Sequence, residues 1–229
     1  MSALLVLDTG PGEPSRNMAF DEALLHGGSG PVLRFYGWLP HAVSLGRFQR
    51  DADFSDVAMH TPVVRRATGG GAIHHAHELT YALVVDAGAL PADLADSYAV
   101  VHDAFVAALE HHGVRCHRKR DGKQAGARPI ERWCFAEPGA GDLVDDAGRK
   151  LLGSAQRRIR LPRERVLQHG SLVLRPAPHT PFTAAVCHQA DPDAILGPLQ
   201  ESIATGLARA LGLTTRPCTD PAETGIELP

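Results

Sequence analysis

The chain has 229 residues, 44% of them apolar and 21% charged, a balance typical of globular proteins and, at this length, enough for a sizeable core. A formal charge of −3 gives no global attraction for nucleic-acid backbone or an anionic membrane, and the sequence lacks both a transmembrane-length apolar run and a basic leader followed by an apolar segment. The chain therefore reads as cytoplasmic, binding neither nucleic acid nor membrane. Cys116, Cys134, Cys187 and Cys218 have no paired spacing; this argues against a disulfide framework or a zinc knuckle and leaves a reactive thiol as the more interesting possibility.

In chain order, Asn17 is a candidate N-cap for the helix MAFDEALL, which the Gly27-Gly28 pair stops. Val32 to Tyr36, Ala42 to Gly46 and Pro62 to Arg66 are strand-like runs bounded by Pro and Gly. After the glycines at 69 to 71, AIHH and Leu79 to Asp86 are expected to continue the same sheet. Between Asp93 and His112, apolar residues recur at steps of three and four, which predicts an amphipathic helix stopped by Gly113. Val114 to Arg118, Asp142 to Asp146, Lys150 to Arg158 and Arg165 to Leu174 read as further strands. A late helix carries Leu199, Ile203, Leu207 and Leu211 and ends at Gly212. Runs of strands with few helices predict an α+β fold: a single domain over 1–218 with a mixed or mostly antiparallel sheet flanked by helices, then a loose tail over 219–229.

Three segments carry candidate chemistry. In RRATGGGAIHH, Gly69, Gly70 and Gly71 permit bare backbone to approach a ligand oxygen beside Arg65 and Arg66, or simply form a hairpin turn. Cys134, in RWCFAEPG after the basic stretch Arg115 to Arg132, is either a thiolate nucleophile toward an acyl donor or a small apolar residue under Trp133 and Phe135. Lys150 precedes the small residues Gly153, Ser154 and Ala155, where its ammonium could sit over a shallow ligand surface or be solvated at a strand end. His169 and Gly170 stand mid-strand, the histidine either hydrogen-bonded to backbone or part of a site. His75 and His77 share a strand face, but no carboxylate completes a ligand set, so no metal site is expected.

Taken together, NMAFDEALL, LRFYGWLPHAVSLGRFQ, RRATGGGAIHHAHELTYALVV, CFAEPGAGDLVDDAGRKLLGSAQRR and LQHGSLVL resemble the biotin/lipoate protein ligase superfamily. Within it, ELTY, CF ahead of GRKLLGSAQ, and QHGS are most similar to octanoyltransferases of the lipoate-ligase type. The resemblance implies a class II synthetase or biotin ligase-like fold with an acyl tunnel beside the glycine loop. It also implies transfer of an octanoyl group from acyl carrier protein to a lysine of a lipoyl domain or a glycine cleavage H-type protein, with no cofactor or metal.

By matched position, Cys134 would carry the acyl thioester and Lys150 would stabilise its thiolate and touch the carbonyl. Arg66, Gly69, Gly70, Gly71 and His75 would line the acyl-carbonyl end, with Ser154, Ala155, His169 and Gly170 opposite. The chain departs from the family pattern at Gly71, at Ala76 after His75, and at Gly141-Asp142, where the octanoyltransferases commonly have a tyrosine-glutamate pair. Two other readings remain at this stage: an ATP-dependent lipoate or biotin protein ligase, distinguished by nucleotide dependence, and a noncatalytic acyl- or carrier-binding protein.

Overall fold

The computed structural model describes residues 2–122, 132–178, 180 and 182–226. In chain order the elements are β1 (Ala3–Gly12), α1 (Pro14–Gly27), β2 (Val32–Trp38), β3 (Ala42–Leu45), α2 (Ser55–Ala58), β4 (Val63–Arg65), β5 (Ile73–His75), β6 (Glu78–Asp86), α3 (Leu94–His111), β7 (His117–Arg118), β8 (Leu143–Val144), β9 (Lys150–Ile159), β10 (Arg165–Val173), α4 (Pro192–Ala210) and β11 (Thr214–Cys218). No helix among the described residues is long and apolar enough to cross a membrane.

The main sheet has the order β11-β1-β2-β6-β10-β9-β8-β7. Its β11-β1-β2 edge is parallel and the rest antiparallel, so the sheet is mixed as expected. Alternation along each strand divides the core. Leu33, Phe35, Leu83 and Val85 face a cluster with Val101, Phe105, Ile203 and Leu207 of α3 and α4. Val32, Tyr36, Ala82 and Val84 face the other way, against Phe20, Leu24 and Leu25 of α1.

The structure corrects the element reading in several places. AIHH does not continue the main sheet: β5 pairs antiparallel with β3, which pairs parallel with β4, making a separate small sheet. Asn17 is not the N-cap of α1. Glu13 holds that place, accepting from the Arg16 N–H at 2.9 Å, because Pro14 starts the helix a turn earlier. Asn17 is instead buried and donates to the carbonyls of Gly12 and Gly37. Strands β1 and β11 were not expected. Asp93 does cap α3, accepting from the Asp96 N–H. In the segment expected as a tail, Pro221–Thr224 is a 3-10 turn whose Thr224 is fully buried, and Thr224 accepts from the Ser29 N–H at 3.0 Å.

Candidate active site

The middle of β10 forms the floor of a narrow pocket. Register pairs Gly170 with Tyr81 of β6 and Ser154 of β9, and His169 with Ala82 and Ala155. The small sheet and the loops at 66–72 and 132–142 supply the walls. The pocket holds about 410 Å3 of empty space, counted to its open mouth, and is lined by Met18, Trp38 and Ile73 with Arg66, Gly70, His75, Cys134, Ser154, Ala155, His169 and Gly170. An apolar slot with a few convergent polar groups suits an acyl chain with a polar end.

Cys134 is half-buried at this pocket. Its backbone is held by Gly71: Cys134 N–H donates to Ala72 O at 2.8 Å, and a Cβ on Gly71 would stand 2.8 Å from Cys134 N. Only glycine allows that approach. Gly70 has φ +94°, a left-handed conformation that a side chain disfavours. The Arg66 guanidinium fastens the loop: its two terminal nitrogens donate to Ser44 O and to the carbonyls of Gly69 and Gly71, the last two at 2.7 Å. Arg66 thus lines the pocket while its two terminal nitrogens are engaged with the loop and with Ser44. Gly69 and Gly71 are not among the lining residues; they shape the wall.

Lys150, the first residue of β9, is buried, contrary to the solvated reading. Its Nζ donates to Cys134 Sγ at 3.5 Å and to Cys134 O at 3.2 Å, and forms an ion pair with Asp142 Oδ2 at 2.7 Å. Burial disfavours its charge, but Asp142 and the Cys134 sulfur outweigh that, so the ammonium is held above the ordinary lysine range. The other cysteines differ. Burial pushes the Cys116 thiol up to about 12, burial likewise raises Cys218, and Cys187 is exposed.

The predicted histidines are anchored by partners that sequence reasoning did not identify. His169 donates from Nδ1 to Asp21 Oδ2 at 3.0 Å, with Thr68 Oγ1 at 2.6 Å from Nε2. Asp21 also receives Arg34 at 2.9 Å and the Tyr36 hydroxyl at 2.8 Å. Despite burial, these partners hold Asp21 below the usual carboxylate range. His75 stacks on Trp38 with centroids 3.8 Å apart and donates to Glu78 at 2.5 Å.

Ser154 lines the pocket, but its hydroxyl is engaged with α3 and β6. It lies 2.7 Å from His102 Nε2 and 2.7 Å from the Tyr81 hydroxyl. Gly141 O can only accept, so His102 Nδ1 carries the proton and Nε2 receives from Ser154. Burial lowers His102 below the ordinary histidine value, consistent with that neutral form.

Asp21, Arg34, Glu78, His102 and Asp142 are the residues missed. A signal existed for two of them: Asp21 lies within the apolar run AFDEALL and Arg34 within VLRFY, and a charge inside a core pattern requires a partner. The stretch 123–131 before Cys134, part of the basic segment noted above, lies outside the described residues. Among those described, His, Cys, Asp and Glu side chains do not gather in threes that could hold a metal ion.

Residues 13–195 match the model of the lipoyl protein ligase A/B catalytic domain. Octanoyltransferase LipM of Kyrpidia tusciae is 38% identical over 195 residues, covering 80% of this chain and 70% of that protein. Octanoyltransferase LipM of Bacillus subtilis is 36% identical over 182 residues, covering 73% and 64% respectively. The aligned part thus spans about two thirds of these relatives' length. Among solved structures, lipoate-protein ligase A bound with ATP superposes with a TM-score of 0.71 at 22% identity, covering 97% of this chain and 92% of that one. The bi-partite lipoate protein ligase of Thermoplasma acidophilum superposes at 0.69 with 21% identity, covering 97% and 89%. At those identities the superpositions establish the fold, a lipoate-ligase-like α+β domain. From the family match and the identity to its relatives, the chain belongs to the lipoyl protein ligase A/B catalytic-domain family.

Proposed function

We propose that this protein is an octanoyltransferase that takes an octanoyl group from acyl carrier protein onto Cys134 and passes it to a lysine of a lipoyl domain or glycine cleavage H-type protein. The observation that carries this reading is the Lys150 ammonium 3.5 Å from the Sγ of Cys134, a residue that lines an apolar pocket. The relatives named octanoyltransferase support the choice of acyl group. A cytoplasmic setting accords with four cysteines that are all free thiols.

The Cys134 thiolate, faced by the ammonium, attacks the donor thioester carbonyl. A new C–S bond forms, the donor C–S bond breaks, and the donor leaves as a thiolate. In the second half the acceptor lysine, as a free amine, attacks acyl-Cys134; the N–C bond forms and Cys134 leaves as thiolate. The proton released by the acceptor nitrogen balances the one that the donor thiolate takes up. Lys150, 3.5 Å from the sulfur, stabilises its charge and would offset the negative charge that develops on the adjacent thioester oxygen. His75 and His169, braced by Glu78 and Asp21, form the pocket walls, while Arg66 holds the glycine loop. A thioester is already activated, so this chemistry draws nothing from nucleotide hydrolysis.

Intact-mass spectrometry after mixing with octanoyl acyl carrier protein tests the reading. One octanoyl group should appear on Cys134, be lost in Cys134→Ala, and move to a lipoyl domain without ATP. A label on Cys116, Cys187 or Cys218 would refute the nucleophile. ATP-dependent attachment of free lipoate with the carrier inert would make the protein a ligase. A pocket that binds octanoate with neither reaction would make it a binding protein.

A further inference from the structure

We infer that Asp142 is a positioning residue for the second half of the reaction, the counter-ion that keeps the Lys150 ammonium charged and in place once Cys134 has been acylated. The inference rests on the reading of Cys134 as the acyl carrier.

In the free enzyme two groups can offer the ammonium negative charge. One is Asp142 Oδ2 at 2.7 Å; the other is Cys134 Sγ at 3.5 Å. The lysine side chain is 4% exposed and its Nζ lies 5.0 Å from the centre of the Phe135 ring, so water contributes little. Acylation converts the sulfur to a neutral thioester, and the charge on that side disappears. A buried ammonium with no anion tends to release its proton. The other titratable neighbours do not replace it: His102 is neutral, burial and the neighbouring acids hold the Tyr98 phenol well above its ordinary value and so uncharged, and Arg66 is a cation. Asp142 is then the group that maintains the charge. It does so at the step when the thioester oxygen gains negative charge and the departing Cys134 thiolate needs a cation to receive it.

The local structure fits this role. Asp142 Oδ2 also accepts from the Gly139 N–H at 2.8 Å, which fixes the carboxylate independently of the lysine. Gly153 leaves room for the lysine to fold back toward it: a Cβ there would overlap Lys150 Cε and stand 2.6 Å from Nζ. Asp142 also supports the raised lysine pKa noted above.

The two half-reactions separate the idea from a general structural role. In Asp142→Asn, the thiolate itself remains as a partner for Lys150, so single-turnover acylation of Cys134 by octanoyl acyl carrier protein should stay within about threefold of wild type. Transfer to a lipoyl domain should slow about 100-fold, the size of losing one electrostatic stabiliser, and octanoyl-Cys134 should accumulate. The deficit relative to wild type should shrink as pH falls and Lys150 regains its proton. Asp142→Glu should restore part of the rate.

Equal loss of both steps, or discharge at the wild-type rate, would overturn the inference. If the wild type does not acylate a lipoyl domain, the proposed function fails, but Asp142 is still tested by discharging octanoyl-Cys134 with hydroxylamine in wild type and variant. If Asp142→Asn does not fold, the wild type suffices. The chain has only three lysines, Lys119, Lys123 and Lys150, so 15N-labelled Nζ signals can be followed in octanoylated enzyme. Lys150 should remain protonated at pH 7 in the octanoylated enzyme; a neutral amine there would overturn the inference.

Discussion

Replacing Lys150 with methionine removes a charge while keeping an unbranched side chain of similar length, so its effects on stability and on reaction can be read separately. The Lys150 and Asp142 side chains are 4% and 11% exposed, and removing one member of a buried pair costs about 3–5 kcal/mol because the other charge is left without its partner. Asp142 would keep its bond from Gly139, and the methionine would gain contact with Phe135, so the lower end applies. About 3 kcal/mol in a chain of this size corresponds to a fall of roughly 6–12 °C in melting temperature. Adding Asp142→Asn removes the stranded charge and should recover most of that loss. Both variants should acylate Cys134 at least about 100-fold more slowly than wild type. Thermal unfolding and single-turnover acylation on wild type, Lys150→Met and the double variant form the assay. If Lys150→Met melts within about 2 °C of wild type, or the double variant melts no higher than the single one, the two side chains are not coupled as a buried pair.

The glycine loop should show an order set by what each added methyl group meets. Gly69→Ala meets only the exposed Phe48 ring at 3.7 Å and should be near neutral, whereas Gly71→Ala meets Cys134 N at 2.8 Å and should impair acylation more than melting; a Gly71→Ala enzyme with normal acylation would exclude the loop as the support of Cys134. Ser154→Ala removes a hydroxyl bonded to Tyr81 and His102, so it should lower stability by about 1–3 kcal/mol. Its acylation rate per folded molecule should be almost unchanged; a selective loss of acyl binding would show instead that the hydroxyl serves the ligand. Asp21 and Glu78 have carboxyls held below their ordinary values by buried partners, so their stabilisation is complete above the unfolded-state values and is lost as pH falls through the folded ones. Melting temperature should therefore drop on acidification below about pH 4, and Asp21→Asn and Glu78→Gln should each melt lower at pH 7 but show a shallower acid dependence. An unchanged acid slope in both variants would assign the drop to other groups.

Local order makes part of this molecule legible from sequence. The apolar period and Asp93 define α3, the glycine loop, the CF pair at Cys134 and GRKLLGSAQ each mark a chemical segment by their own local residues, and alternation in the strands divides the two core faces. These features depend on residues close together in the chain, where backbone periodicity and capping act. What surrounds His169 depends on longer connections. Asp21 meets His169 across 148 positions and Thr68 meets His169 across 101, through sheet register and helix packing that no local pattern encodes. Strands β1 and β11 also escape local reading, because they pair at opposite ends of the chain. Asp142 is the sharpest case: in sequence it stands only as a departure from the family pattern, and in the structure it is the carboxylate on the site lysine. Sequence by itself determined the fold class and pointed to the thiol and the lysine. Only the tertiary structure decided their partners, because a buried charge is stable only beside the group that compensates it, and the identity of that group is settled by packing.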